Sequence, residues 1–182
     1  MKYSKDVEKA IKKSKEIALE INSNTIRPEH LFLALIDNED SNAYQIIYDM
    51  NLNIDAIKQT LKDWSIDKQS KIGIFKLRSN AVISFDIETD NILKKSIEYA
   101  QKINSEEIDS EHILYCILNN SNNLVTNLFS KTPEIYKNLK MRLGDESDDT
   151  YNIEPDEEDL PREKNKSSKL KLIDQFGTDL TK

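Results

Sequence analysis

The residues able to do chemistry cluster in two short stretches. "RPEHLFLAL", residues 27–35, carries Glu29 and His30, and "DSEHILYCIL", from Asp109, carries Glu111, His112 and Cys116. Imidazoles serve as metal ligands or as acids and bases, but a tetrahedral zinc site needs three or four such donors. The chain holds two histidines and one cysteine. His30 and His112 take the same place in two similar stretches, which predicts that they lie on opposite halves of the molecule. The reading from residues is therefore structural: each imidazole hydrogen-bonds the turn that precedes its helix. Cys116 lies among Ile113, Ile117 and Leu118 and reads as a core thiol. The glutamates carry two readings. A first-turn carboxylate complements the helix dipole, worth about 0.3–1 kcal/mol. It can also take a guanidinium bidentately, beside a helix N-terminus able to hold a phosphate.

Composition removes several classes. Three glycines (Gly73, Gly144, Gly177) are too few and too scattered for a Walker loop or a dinucleotide fingerprint. The formal net charge is -7, and no basic stripe with interleaved aromatics is present, so nucleic acid is not an expected partner. The lysines of 9–15 share their helix with Glu8 and Glu16 and read as a solvated face. A single cysteine permits no intrachain disulfide and points to a reducing compartment. The N-terminus has no apolar signal-like run, and no stretch approaches the roughly 18 apolar residues of a membrane span. The expected setting is cytoplasmic, with no membrane partner. No nucleophile–base pair or paired-metal constellation suggests an enzyme, and no cofactor is expected.

The elements that must position these residues follow from hydrophobic period. Val7, Ala10, Ile11, Ser14, Ile17, Ala18 and Ile21 form one stripe and predict a helix over 4–22. "NSNT" breaks it, and Pro28 suits the first turn of the next helix. Further helices are predicted near 42–50 and 54–64. Then the pattern restarts, with a helix over 89–104. His30 and His112 are 82 residues apart, and that offset registers the halves without a gap. Ser14 falls on Ser96, Ala18 on Ala100, Asn22-Ser23 on Asn104-Ser105, Ile26 on Ile108 and Ile46-Ile47 on Leu128-Phe129. The chain is thus read as all-α, a pseudo-twofold duplication of a four-helix unit. Repeats are placed at about 3–65 and 87–143, within a domain of residues 1–143. Residues 66–86 read as an extended connector with a short strand-like piece. Trp64 and Tyr48 read as packing at helix ends, and Phe32 and Leu33 as core or as part of a capture surface. Residues 144–169 are acidic, then basic, with almost no apolar content, and read as a disordered linker.

Two Glu-His-apolar helix starts, duplicated over about 150 residues, resemble the Clp N-terminal domain of AAA+ unfoldases, whose motif is close to Gly-Thr-Glu-His-Ile/Leu-Leu. Here Arg27-Pro28 and Asp109-Ser110 stand in place of Gly-Thr. "LIDQFGTDLTK" resembles the segment that opens the first ATPase module of these proteins, so 170–182 reads as the start of such a module. The resemblance implies eight helices and a non-catalytic domain of a ClpC- or ClpB-type unfoldase. Such a domain captures client and adaptor proteins for its own ATPase ring, and the isolated domain is expected to be a monomer. Some ClpC-type members read phosphoarginine on clients, one site per repeat. By position Glu29 and Glu111 match the acid that contacts it. Those members carry a Thr at the start of each half's first helix, where this chain has Ser4 and Asp86. A carboxylate at 86 repels phosphate, so the implied phosphoarginine site is in the first half, with Ser4 and Glu29. The alternative is a stand-alone accessory protein that binds and regulates a Clp protease complex.

Overall fold

Helix starts in this chain are set by short polar side chains. Ser4 Oγ accepts the Val7 N–H and caps α1 (Lys5–Glu20). Asp86, 82 residues later, accepts the Thr89 N–H and caps α5 (Ile87–Lys102). The computed structural model describes residues 1–70, 82–120 and 123–145. Its order is α1, β1 (Thr25–Ile26), α2 (Pro28–Leu35), α3 (Asn42–Asp49), α4 (Ile54–Ser70), β2 (Ser84–Phe85), α5, α6 (Ser110–Leu118), α7 (Leu124–Phe129) and α8 (Glu134–Leu143). The fold is all-helical apart from these two-residue strands.

The duplication holds to the level of single hydrogen bonds. Asn22 and Asn104 end α1 and α5 in the left-handed conformation, with φ of 57° and 55°. Ser14 Oγ donates to Ile11 O and Ser96 Oγ to Leu93 O, both at 2.7 Å. Ser41, the N-cap of α3, donates its hydroxyl to Leu35 O at the end of α2. Its counterpart Asn123, the N-cap of α7, donates Nδ2 to Ile117 O in α6. One side chain thus closes one helix and opens the next in each copy.

Two differences from the sequence expectation concern the segment between the copies. α4 continues to Ser70, so residues 66–70 are helical rather than connector. α5 begins at Ile87, two residues before the apolar stripe suggests, because Asp86 supplies the cap. The short strand expected in this region is β2, which pairs parallel with β1: Thr25 with Ser84 and Ile26 with Phe85. Residues 71–81, and the linker and ATPase-like start from 146 onward, lie outside the described residues.

The pairing is reciprocal, which the linear sequence did not disclose. Ile26 of the first copy pairs with Phe85, while Ile108, its equivalent, pairs with Tyr3, the equivalent of Phe85. Asp86 N donates to Ile26 O at 3.0 Å, and Ser4 N donates to Ile108 O at 2.9 Å. Each copy's leading segment is therefore held by the other copy. The core is likewise shared. Phe32 of α2 meets Phe129 of α7 edge to face at 5.8 Å between centroids, inside one cluster that draws on both copies.

α8 ends at Gly144, whose φ of 63° lets Asp145 N return to Lys140 O. We expect Asn123→Ala to lower stability by about 2 kcal/mol in urea denaturation, because it removes the α7 cap and two bonds to carbonyls. An unchanged midpoint would contradict the double use of this side chain.

Candidate functional site

α2 is buried at every position from Pro28 to Leu35, so its first-turn polar groups must find partners inside the protein. His30 Nδ1 accepts the Arg27 N–H at 3.0 Å, and His112 Nδ1 accepts the Asp109 N–H at 2.9 Å. Each imidazole bonds the turn before its helix, as its position in the repeat suggested, and an acceptor Nδ1 fixes the Nε2–H tautomer. His30 Nε2 then lies 3.1 Å from Ser65 Oγ. Among the described residues no group of three or more His, Cys, Asp or Glu is placed to hold a metal ion.

Glu29 is 1% exposed and faces Arg27, with Oε1 3.0 Å from Nε. Nε lacks a well-aligned hydrogen bond, so the contact is chiefly an ion pair. Arg27 Nη2 donates to Ser65 Oγ and Ser65 O, and the Ser65 hydroxyl donates weakly to Glu29 Oε1 at 3.5 Å. The guanidinium that Glu29 meets is thus the chain's own Arg27, at the position of the family motif's Gly.

The reciprocal pairing decides which candidate residues meet. Ser4 does not stand at the start of α2 with Glu29. It stands at the start of α6, where Ser4 Oγ donates to Asp109 Oδ1 at 3.0 Å. Asp109 also receives Ser110 N and Asn42 Nδ2, and Ser110 Oγ accepts the Ala43 N–H. Ser4 is therefore grouped with the helix of Glu111, and Asp86 with the start of the helix of Glu29. Glu111 is half-buried, and its Oε2 is enclosed without a hydrogen-bond partner among the described residues. No sequence signal announced this crossing, since it depends on which copy each short strand pairs with.

A groove of about 460 Å³ opens beside this junction. Ala10, Ala34 and Leu35 give it an apolar floor, and Ser110 marks its α6 end. Lys9, Lys12 and Lys13 rim it against Asp6, Glu16 and Asp37. The lysine face read as merely solvated is thus one wall of a depression. Phe32 and Leu33 are core, at 0% and 2% exposed, and form no part of a surface. Burial pushes the Cys116 thiol up to about 12.

The family model of the Clp repeat (R) N-terminal domain matches residues 2–132, and the chain belongs to this family. It is 24% identical to the chaperone protein ClpC1, chloroplastic, of Arabidopsis thaliana, over 99% of this chain and 18% of that one. It is 25% identical to the chaperone protein ClpB of Clostridium tetani, over 71% of this chain and 15% of that protein. The match therefore spans under a fifth of either relative. Among solved structures, the N-terminal domain of ClpD from Arabidopsis thaliana aligns with a TM-score of 0.61 at 19% identity, covering 79% of this chain and 95% of that one. The Hsp104 N-terminal domain from Candida albicans aligns at 0.65 and 14% identity, covering 79% and 93%. The N-domain of ClpV from Vibrio cholerae aligns at 0.60 and 17%, covering 82% and 89%, and the same N-domain is also solved in complex with a VipB peptide. These likenesses bear out the fold that the duplicated motif implied.

Two outcomes follow. Arg27→Ala leaves Glu29 buried without its cation and should cost about 3–5 kcal/mol, while adding Glu29→Gln should return part of that loss, read as urea midpoints. With its thiol near 12, Cys116 stays protonated through the neutral range. It should resist a disulfide reagent at pH 8 and react fully once urea unfolds the chain; rapid labelling of the folded protein would contradict its burial.

Proposed function

We propose that residues 1–145 form the client- and adaptor-docking domain of a Clp-type ATPase chaperone, acting by binding and not by catalysis. The observation that carries this reading is the open groove between α1 and the end of α2. It combines an apolar floor with charges of both signs, as suits a polypeptide segment more than a small molecule. The peptide complex of the ClpV N-domain supports the same use of this fold. ATP hydrolysis would belong to a module beyond Lys182, and the cytoplasm suits a chain whose one thiol is free. No helix among the described residues is long and apolar enough to cross a membrane.

A narrower reading adds phosphoarginine, and one observation favours placing it at α6 instead of α2. Glu29 is already paired with Arg27, whereas Glu111 keeps an enclosed carboxylate oxygen without a bond among the described residues, on the helix that Ser4 adjoins. Asp109 works against a phosphate there, so the guanidinium end is the better supported half of this recognition.

One titration addresses both readings. Fluorescein-labelled casein, with and without enzymatic arginine phosphorylation, is added to the full chain and followed by anisotropy. Asn38 also lines the groove, and Asn38→Trp, which fills it, should weaken both at least tenfold. Glu111→Gln should remove only the extra affinity of the phosphorylated form. Equal binding by Asn38→Trp removes the groove reading, and equal binding of the two caseins removes phosphoarginine. A reading frame that stops at Lys182 would favour the stand-alone accessory protein instead.

A further inference from the structure

The two copies differ on the outer face of α3. Tyr44 and Tyr48 stack there, 13° from parallel with centroids 6.0 Å apart. Tyr48, near the end of α3, packs one face on Tyr44 as expected but is still 59% exposed. With Glu39, Leu52, Ile54, Asp55 and Lys58 the pair lines a depression of about 230 Å³. The Lys58 ammonium is turned to Asp37, 3.2 Å away, and neither Glu39 nor Asp55 has a salt-bridge partner among the described residues. Burial first, then Glu39, Tyr48 and Asp55, hold the Tyr44 phenol above its ordinary value, as negative charge around the ring requires.

The second copy shows that the fold does not need this arrangement. At the same 82-residue offset, Thr126 replaces Tyr44, Ser130 replaces Tyr48 and Ser121 replaces Glu39. Core positions around them are kept: Ala43 matches Val125 and Ile47 matches Phe129. The scaffold is retained while the aromatic pair and the Glu39 carboxylate are lost. Aromatic faces beside two carboxylates attract a cation, and Leu52 with Ile54 can cover an aliphatic stem.

From this we infer that the depression at Tyr44, Tyr48, Glu39 and Asp55 is a second contact point for docked polypeptides, one that takes an unmodified arginine side chain. The inference rests on the docking reading and gives it a chemical preference at a place separate from the α1–α2 groove. A guanidinium lies flat against Tyr48 while its edge faces the carboxylates. Phosphorylation of that arginine reverses the charge and excludes it.

The test is a titration of the full chain, followed in 1H–15N spectra, with three blocked pentapeptides that differ only at the central residue: arginine, citrulline or phosphoarginine. The arginine peptide should shift the amides of Tyr44, Tyr48 and Asp55. The citrulline peptide, equal in shape but neutral, should bind at least tenfold more weakly there, and the phosphoarginine peptide should leave those amides unmoved. Tyr48→Ser and Asp55→Lys alter exposed positions and should keep the spectrum of the folded chain while each weakens the arginine peptide severalfold. Equal binding of arginine and citrulline, preference for phosphoarginine at these amides, or insensitivity to Tyr48→Ser each overturns the inference. Casein binding that remains sensitive to Asn38→Trp would show that the docking reading survives such a failure.

Discussion

Two helices with almost no solvent face govern this structure. α2 is buried along its whole length, and α6 is buried at seven of its nine positions. A helix leaves four N–H groups and four carbonyls unbonded at its ends, and here water cannot reach most of them. Several nearby polar side chains answer that need. His30 and His112 take the N-cap N–H groups, and Ser41 and Asn123 reach back to Leu35 O and Ile117 O. The Tyr136 hydroxyl donates to Leu118 O. Residues that look catalytic on a page of sequence are here closing helix ends.

The same constraint explains the partner that the motif's Glu29 has in this chain. A carboxylate in the first turn of a wholly buried helix cannot stay unpaired. With Arg27 in place of the motif's Gly, the cation comes from the turn itself and Ser65 completes the contact. Glu111 sits on a less buried turn, and the preceding Asp109 spends its oxygens on Ser4, Ser110 and Asn42. Equivalent positions in the two copies therefore offer a partner different chemistry, although their backbones run alike.

Much of the fold was legible in the sequence because its signals are local. The 82-residue offset placed Ser4 over Asp86 and Asn22 over Asn104, and these pairs are matching caps and matching left-handed ends. The imidazole role followed from position within the motif. What stayed hidden is non-local. Nothing in the linear pattern says that Tyr3 pairs with Ile108 and not with Ile26, yet that choice groups Ser4 with the helix of Glu111. The Arg27–Glu29 pair was also unforeseen, because residues two apart face one another only where the chain turns into a helix. The length of α4 was underestimated because its apolar stripe fades after Trp64 while the helix continues to Ser70.

The crossed pairing of Tyr3 with Ile108 and Phe85 with Ile26 has the geometry of two subunits clasping arms. Separated into single copies, each half would lack the strand that completes it, and the contact most able to supply one is a second identical half. The chain is thus a homodimer written on one polypeptide. That fusion is what released the halves from identity. In a true dimer every substitution appears twice, so an aromatic pair on one side and two small hydroxyl residues at the matching places on the other cannot coexist. Joined covalently, the two faces can specialise while the axis between them stays intact.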